Sequence, residues 1–310
     1  MPRVPRCLLP FVLLLSVLVW GFSAAGAVAA TITPTTPVTR GSEYLALGDS
    51  VTFGYQEPNT VPAPDYHDPA SLPGYPEHLG NELHVLVTNL ACPGETSGSL
   101  INIHTLSNGC ENAYRKLYPL HTKYSGAQLS YAVSFLRRHP RVRLVSLMIG
   151  ANDIFLCEKN TPSHCLSPTD QNKTISTVAR NVKTILSAIR TQGRYKGQIA
   201  IVTYYSTDFT SALITGVIKK LNSAVVTVAK PYKIEIADGF DQFRLASIKY
   251  ANKPCLAGLI TQLNSTVGDC GVHPTYAGSA LLAEAVLSAI RLPGDAVHVI
   301  TPTRPPGGLG

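Results

Sequence analysis

The sequence predicts an α/β protein built on a mostly parallel five-stranded sheet with helices on both faces. Three observations carry this. Short apolar runs of strand length recur along the chain and end at glycine or turn residues. Segments with helical periodicity lie between them. The two kinds alternate about five times, the pattern of a parallel sheet that needs a helix for every crossover.

The elements follow in order. Tyr44-Leu45-Ala46-Leu47, closed by Gly48, suits a buried first strand. Gln56 to Pro76 is rich in Pro, Asp and His and lacks periodicity, so it reads as a long loop, a kind that is usually functional or mobile. Glu77 to His84 predicts a helix and Val85 to Leu90 a second strand. Gln128 to Arg138 places Leu129, Val133 and Leu136 on one helical face, and Arg143 to Ile149 is the third strand. The strongest helical signal is Thr174 to Arg190, where Ile175, Val178, Val182, Ile185, Leu186 and Ile189 keep the i, i+3, i+4, i+7 spacing. Gln198 to Tyr205 (strand), Ser211 to Ala229 (helix), Lys233 to Ala237 (strand) and Tyr276 to Ile290 (helix) complete the alternation. Tyr204-Tyr205 ends its strand and divides between core and cleft wall.

Composition narrows the function classes. The chain has 310 residues, 45% of them hydrophobic and 15% charged, with no heptad or glycine repeat, which excludes collagen-like, coiled-coil and wholly disordered readings. The formal net charge is +7. Its lysines and arginines are scattered except for Arg137, Arg138, Arg141 and Arg143, which flank a helix end; no long basic stripe with interleaved aromatics points to nucleic acid.

Residues 1–30 read as a signal peptide. Arg3 and Arg6 precede an apolar run from Leu8 to Phe22, and Ala27-Val28-Ala29-Ala30 offers a cleavage site. The alternative is an uncleaved signal anchor. Residues 31–43 are Thr/Pro-rich and read as a linker, residues 44–292 as the folded domain, and 293–310 as a Pro/Gly tail. The expected location is extracellular. Six cysteines lie beyond Cys7: Cys92, Cys110, Cys157, Cys165, Cys255 and Cys270. They allow fifteen pairings, of which neighbour pairing (92–110, 157–165, 255–270) is simplest because its loops are short. No C-x-x-C knuckle suggests zinc, and His67, His78, His84, His104 and His121 are not spaced for a metal site. No cofactor or metal is expected.

In a parallel sheet, ligands gather at the carboxyl ends of the strands. Gly48-Asp49-Ser50-Val51 follows the first strand, Ala91-Cys92-Pro93-Gly94 the second and Gly150-Ala151-Asn152-Asp153 the third, while Gly271-Val272-His273-Pro274 precedes the last helix. Singly, each is ordinary turn or helix-start chemistry. Together, Ser50, Gly94, Asn152 and His273 in this order resemble the GDSL, or SGNH, hydrolase superfamily, and most of all its secreted, disulfide-bonded bacterial esterases and lipases. The resemblance runs from about Tyr44 to Ile290. It implies a flavodoxin-like three-layer α/β/α sandwich, a serine nucleophile and a three-donor oxyanion hole.

The chemistry asks for the same residue types. A serine hydroxyl needs a base to take its proton, and neutral imidazole suits that task near neutrality. An ester oxyanion needs preorganised donors, here the backbone N–H of Ser50, that of Gly94 and the side-chain amide of Asn152. Asp49 and Asp153 are read as orienting these turns. The sequence departs from the family at Val51, where the eponymous motif has Leu, and at Cys270, where the acid three residues before the histidine is expected. Asp269 is the nearest carboxylate and the expected acid; a backbone carbonyl of the same loop is the alternative, and Asp238 and Asp241 are remoter ones. A bridge beside each loop would brace catalytic groups that lack regular structure. The expected protein is a monomeric secreted serine esterase or lipase acting on a small-molecule, lipid or acylated-glycan ester, with transient contact to a lipid surface. Carbohydrate deacetylation, (lyso)phospholipid hydrolysis and non-catalytic glycan or lipid binding are the competing functions.

Overall fold

In the computed structural model the expected first strand, Tyr44 to Leu47, is an inner strand of the sheet. The structure describes residues 36–264 and 268–295. In chain order it comprises β1 (Glu43–Gly48), α1 (Ser50–Phe53), α2 (Tyr75–Leu83), β2 (Leu86–Asn89), the single turn α3 (Arg115–Leu117), α4 (Gln128–Arg138), β3 (Val142–Met148) and α5 (Ala151–Asn160). There follow α6 (Pro168–Thr191), β4 (Gln198–Val202), α7 (Ala212–Ala229), β5 (Glu235–Ala237), α8 (Gly239–Ser247), β6 (Ile260–Gln262), β7 (Cys270–Pro274) and α9 (Tyr276–Ala289).

The sheet order is β2-β1-β3-β4-β5 and every pairing is parallel. Strands covered on both faces need apolar side chains at successive positions, and Tyr44 to Leu47 and Leu144 to Met148 supply them, with even the Ser146 hydroxyl buried and bonded to Tyr44 at 2.7 Å. Helices α2, α8 and α9 pack as one layer, and α4, α5, α6 and α7 as the other. This is the expected α/β/α sandwich. Strand order reverses between β1 and β3, and that switch point opens the crevice in which such folds bind ligands.

Most of the expected elements are found with ends shifted by a few residues. Helix α6 starts six residues before the expected Thr174 because Ser167 caps it, accepting from the Asp170 N–H, and Pro168 fits its first turn. Strand β4 stops at Val202, so Tyr204 and Tyr205 stand beyond the sheet edge. Three features differ from the expectation. The segment after β3 is a helix, α5, and not a turn; α8 follows β5; and β6 and β7 form an antiparallel hairpin. The hairpin strands are too short for periodicity to reveal.

Within the stretch read as a linker, Val38 is buried and donates its N–H to the Arg291 carbonyl, so residues 36–42 run along the domain. The signal-peptide reading of residues 1–30 and most of the tail reading lie outside the described residues. Helix α7 is apolar enough over Ala212–Tyr232 to cross a membrane by length and composition; its Leu221, Val225 and Ala229 are buried, and it packs on α6.

Candidate active site

Parallel pairing brings the first two motifs together. Gly48 at the end of β1 is in register with Met148 at the end of β3, so Ser50 and Asn152 emerge side by side. The chain turns at once into α1, with Asp49 as its cap: one carboxylate oxygen accepts from the Val51 N–H at 3.0 Å, the other from the Tyr204 hydroxyl at 2.5 Å. Burial pushes the Asp49 carboxyl up to about 6 against those two hydrogen bonds. Gln128 grips the strand end from below, accepting from the Gly48 N–H at 2.7 Å and donating to the Gly48 carbonyl at 3.1 Å. The Ser50 carbonyl accepts from the Gly54 and Tyr55 N–H groups, each at 3.0 Å, and its hydroxyl is turned to His273.

His273 stands on β7, where sequence reasoning expected a loop. Its Nε2 lies 2.9 Å from Ser50 Oγ. Its Nδ1 lies 2.8 Å from Oε1 of Glu57, a residue of the long loop after α1. Glu57 also accepts from the Thr261 hydroxyl at 2.5 Å and from the Val272 N–H at 2.6 Å. Burial would raise its carboxyl, but His273, Thr261 and the Val272 N–H outweigh this and hold it down at about 2. It is therefore ionised at any working pH, and a carboxylate on Nδ1 fixes the tautomer whose Nε2 can take a proton from Ser50.

The expected acid, Asp269, is not in this chain of contacts. Its carboxylate accepts from the Asn264 side chain at 3.0 Å. The reason is the strand: four residue steps along extended backbone place Asp269 roughly 13 Å from His273. Between them, on the same face of β7, is Gly271. A Cβ there would stand 2.3 Å from Glu57 Oε1, so the missing side chain is what admits Glu57. Cys270 is bonded to Cys255. The remoter candidates serve α8: Asp238 caps it by accepting from the Asp241 N–H, and Asp241 pairs with Arg244 at 2.8 Å. Among the described residues, it is Glu57 and not a backbone carbonyl that lies on Nδ1. Glu57 escaped notice because it is 216 positions from His273; its one signal was the long loop itself.

The two other residues expected as donors lie on the loop after β2 and on α5. Gly94 sits at φ 84°, a conformation open to glycine, with the Asn108 carbonyl 2.5 Å from where a Cβ would be. Asn152 is the second residue of α5 and buried. Asp153 holds α5 against the Gly94 loop by accepting from the Ser97 N–H at 2.8 Å and hydroxyl at 2.7 Å. Asp49 and Asp153 both orient turns. The three bridges are 92–110, 157–165 and 255–270. Cys92, Cys110 and Glu95 crowd together, but the two sulfurs are bonded to each other and offer no thiolate to a metal.

Ser50, Asn152 and His273 open into a cleft of about 310 Å³ whose walls are Ile154, Phe155, Leu166, Ile214, Val217 and Ile218, with Tyr204 and Tyr205 beside the nucleophile. Hydroxyl, imidazole and carboxylate in one hydrogen-bonded line, with amide donors across a largely apolar cleft, can attack a carbonyl carbon and hold the resulting charge.

A family model described as the GDSL-like lipase/acylhydrolase family matches residues 46–281. Solved structures similar in fold include a lipase from a goat rumen metagenome (14% identity, TM-score 0.53, covering 81% of this chain and 99% of that one). Phospholipase A1 from Streptomyces albidoflavus (17%, TM-score 0.50, 80% and 99%) and an extracellular lipase from Streptomyces rimosus (17%, TM-score 0.50, 80% and 100%) are others. A sequence search of curated proteins finds no match. Fold and site define an ester-hydrolysing enzyme. The chain belongs to the GDSL-like lipase/acylhydrolase family.

Proposed function

We propose that the protein is an exported lipase or esterase that cleaves esters of medium-length and longer acyl chains through an acyl-enzyme on Ser50. His273 Nε2 takes the Ser50 proton as Oγ attacks the ester carbonyl, and Glu57 stabilises the imidazolium. The Ser50 N–H, the Gly94 N–H and the Asn152 amide hold the oxyanion. Collapse of the tetrahedral intermediate expels the alcohol, which leaves with the proton from His273. Water, deprotonated by the same imidazole, then releases the carboxylic acid and restores Ser50.

The observation that carries this reading is the unbroken Glu57–His273–Ser50 line at the mouth of an apolar cleft. The wall is largely apolar, interrupted by Glu158, His164, Gln171 and Thr207, and rewards each methylene of an acyl chain with about 0.8 kcal/mol. That favours acyl hydrolysis over glycan deacetylation. Export is supported by the three disulfides, which persist in oxidising compartments, and by the signal pattern of residues 1–30.

The test is a panel of nitrophenyl esters from acetyl to decanoyl, with acetylated xylan alongside. We expect kcat/KM to rise about fourfold per methylene until the cleft is full, and Ser50→Ala to abolish turnover while keeping its circular dichroism. An acetyl preference with release of acetate from xylan would move the assignment to deacetylation. Full activity in purified Ser50→Ala would refute the mechanism.

A further inference from the structure

An asparagine amide has two chemically opposite ends, and only one orientation of Asn152 serves an oxyanion. Nδ2 must face the cleft and Oδ1 must face away. Nothing in Asn152 itself sets that choice. Its Oδ1 lies 2.8 Å from Nδ2 of Asn108, but Asn108 has the same ambiguity. Lys159 removes it. An ammonium can only donate, and Lys159 Nζ lies 2.7 Å from Asn108 Oδ1. The acceptor end of Asn108 is therefore committed to Lys159, its donor end to Asn152 Oδ1, and the donor end of Asn152 is left for the cleft.

The fold makes this economical. Asn152 and Lys159 are seven residues apart on α5, two helical turns, so both project from one face and Asn108 bridges them. Asn108 belongs to the loop closed by the Cys92–Cys110 bridge, and its backbone N–H donates to the Gly94 carbonyl at 2.8 Å. One residue thus orients the Asn152 amide with its side chain and anchors the Gly94 turn with its backbone.

We infer that Lys159 and Asn108 are positioning residues that set the polarity of the oxyanion hole, Lys159 fixing the Asn108 amide and Asn108 fixing that of Asn152. This rests on the hydrolase reading above. The relay has a direction, which a merely structural contact would not. Asn108→Asp keeps the shape and strengthens the bond to Lys159, but a carboxylate cannot donate to Asn152 Oδ1. The Asn152 amide would turn Nδ2 toward it and withdraw its donor from the cleft.

The experiment measures kcat and KM for nitrophenyl butyrate in wild type, Asn108→Asp, Asn152→Ala, the Asn108→Asp/Asn152→Ala double variant, Lys159→Glu and Lys159→Arg, each checked by circular dichroism. Asn108→Asp is expected to lower kcat by about 10²–10³-fold, as loss of one oxyanion donor does, with KM within about threefold of wild type. The double variant should be no worse than Asn152→Ala, because the donor is already gone. Lys159→Glu, an exposed change that tests the relay even where Asn108→Asp fails to fold, reverses the first link and should cost at least about tenfold in kcat. Lys159→Arg keeps a pure donor and should stay within about threefold. Turnover in folded Asn108→Asp within about threefold of wild type, full multiplication of effects in the double variant, or equal activity in Lys159→Glu and Lys159→Arg would each overturn the relay and leave the hydrolase reading standing. An ester-inactive wild type, or an active Ser50→Ala, overturns both.

Discussion

Glu57 is where chemistry and sequence distance diverge most. A carboxylate on His273 Nδ1 is required to stabilise the imidazolium, and the structure supplies it from the loop after α1 and not from beside the histidine. Glu57→Gln should therefore lower kcat by about 10³–10⁴-fold with little change in KM, because the amide can present its donor to Nδ1 and favour the wrong tautomer. Asp269→Asn should cost less than about tenfold. Steady-state kinetics on the two variants side by side decide it: equal and small effects would deny Glu57 its role. The Glu57 carboxyl stays ionised down to about 2, so mild acidification leaves the carboxylate on His273 Nδ1 in place. Ser50, Gly94, Asn152 and His273 were legible because each stands beside a strand end or the last helix, where local sequence marks the boundary. The Glu57 contact was not, because its approach depends on an absent side chain at Gly271 and on an extended Cys270–His273 backbone, neither of which announces a contact 216 positions away.

At the scale of elements, helices and long apolar strands could be read from periodicity alone, since burial against a sheet dictates it. The pieces that carry the site could not. Helix α5 begins at Ala151, directly after Gly150, and reads as turn chemistry, and the β6–β7 strands are three and five residues long. The expectation that the catalytic groups lack regular structure is thus corrected for Asn152, on α5, and His273, on β7. What regular structure does not brace is the Gly94–Asn108 segment, and there the Cys92–Cys110 bridge closes the loop. Replacing both cysteines by serine should cost about 2–4 kcal/mol of stability. It should also lower kcat more than KM at a temperature where helical circular dichroism is unchanged, because the Gly94 turn and Asn108 lose their tether. Unaltered kcat in the folded double serine variant would show that the loop holds its shape without the bridge.

For the whole molecule, the buried carboxyl groups set how stability depends on pH. Burial raises Asp49 to about 6 from 3.8 and Glu95, beside Gly94 and hydrogen-bonded to Ser99 and Gln128, to about 7 from 4.5. Asp153 is raised in the same way. For an acid whose folded value lies above its unfolded one, the folded state binds more protons in the interval between them. Stability therefore falls as pH rises through that interval and is fully present only below the unfolded value. Glu57 has the opposite sign. Lowered to about 2 from 4.5, it stabilises the fold above the unfolded value, and that contribution is lost as pH falls from about 4.5 toward 2. His78, lowered by burial, opposes Asp49 and Glu95 in part as acid is added. Two raised carboxyls with large shifts outweigh one modestly lowered imidazole, so the thermal midpoint should rise between pH 7.5 and 5 by roughly 3–10 °C, then decline below about 4.5 as Glu57 of the unfolded chain takes up its proton while the folded carboxyl stays ionised. Glu95→Gln, which replaces the carboxyl by a group that never ionises, should raise the midpoint at pH 7.5 and flatten the rise toward pH 5. A midpoint that is lower at pH 5 than at pH 7.5, or a Glu95→Gln profile as steep as that of the wild type, would mean that the carboxylate beneath the Gly94 turn is ionised in the folded protein and that the Gln128 contact stabilises its charge.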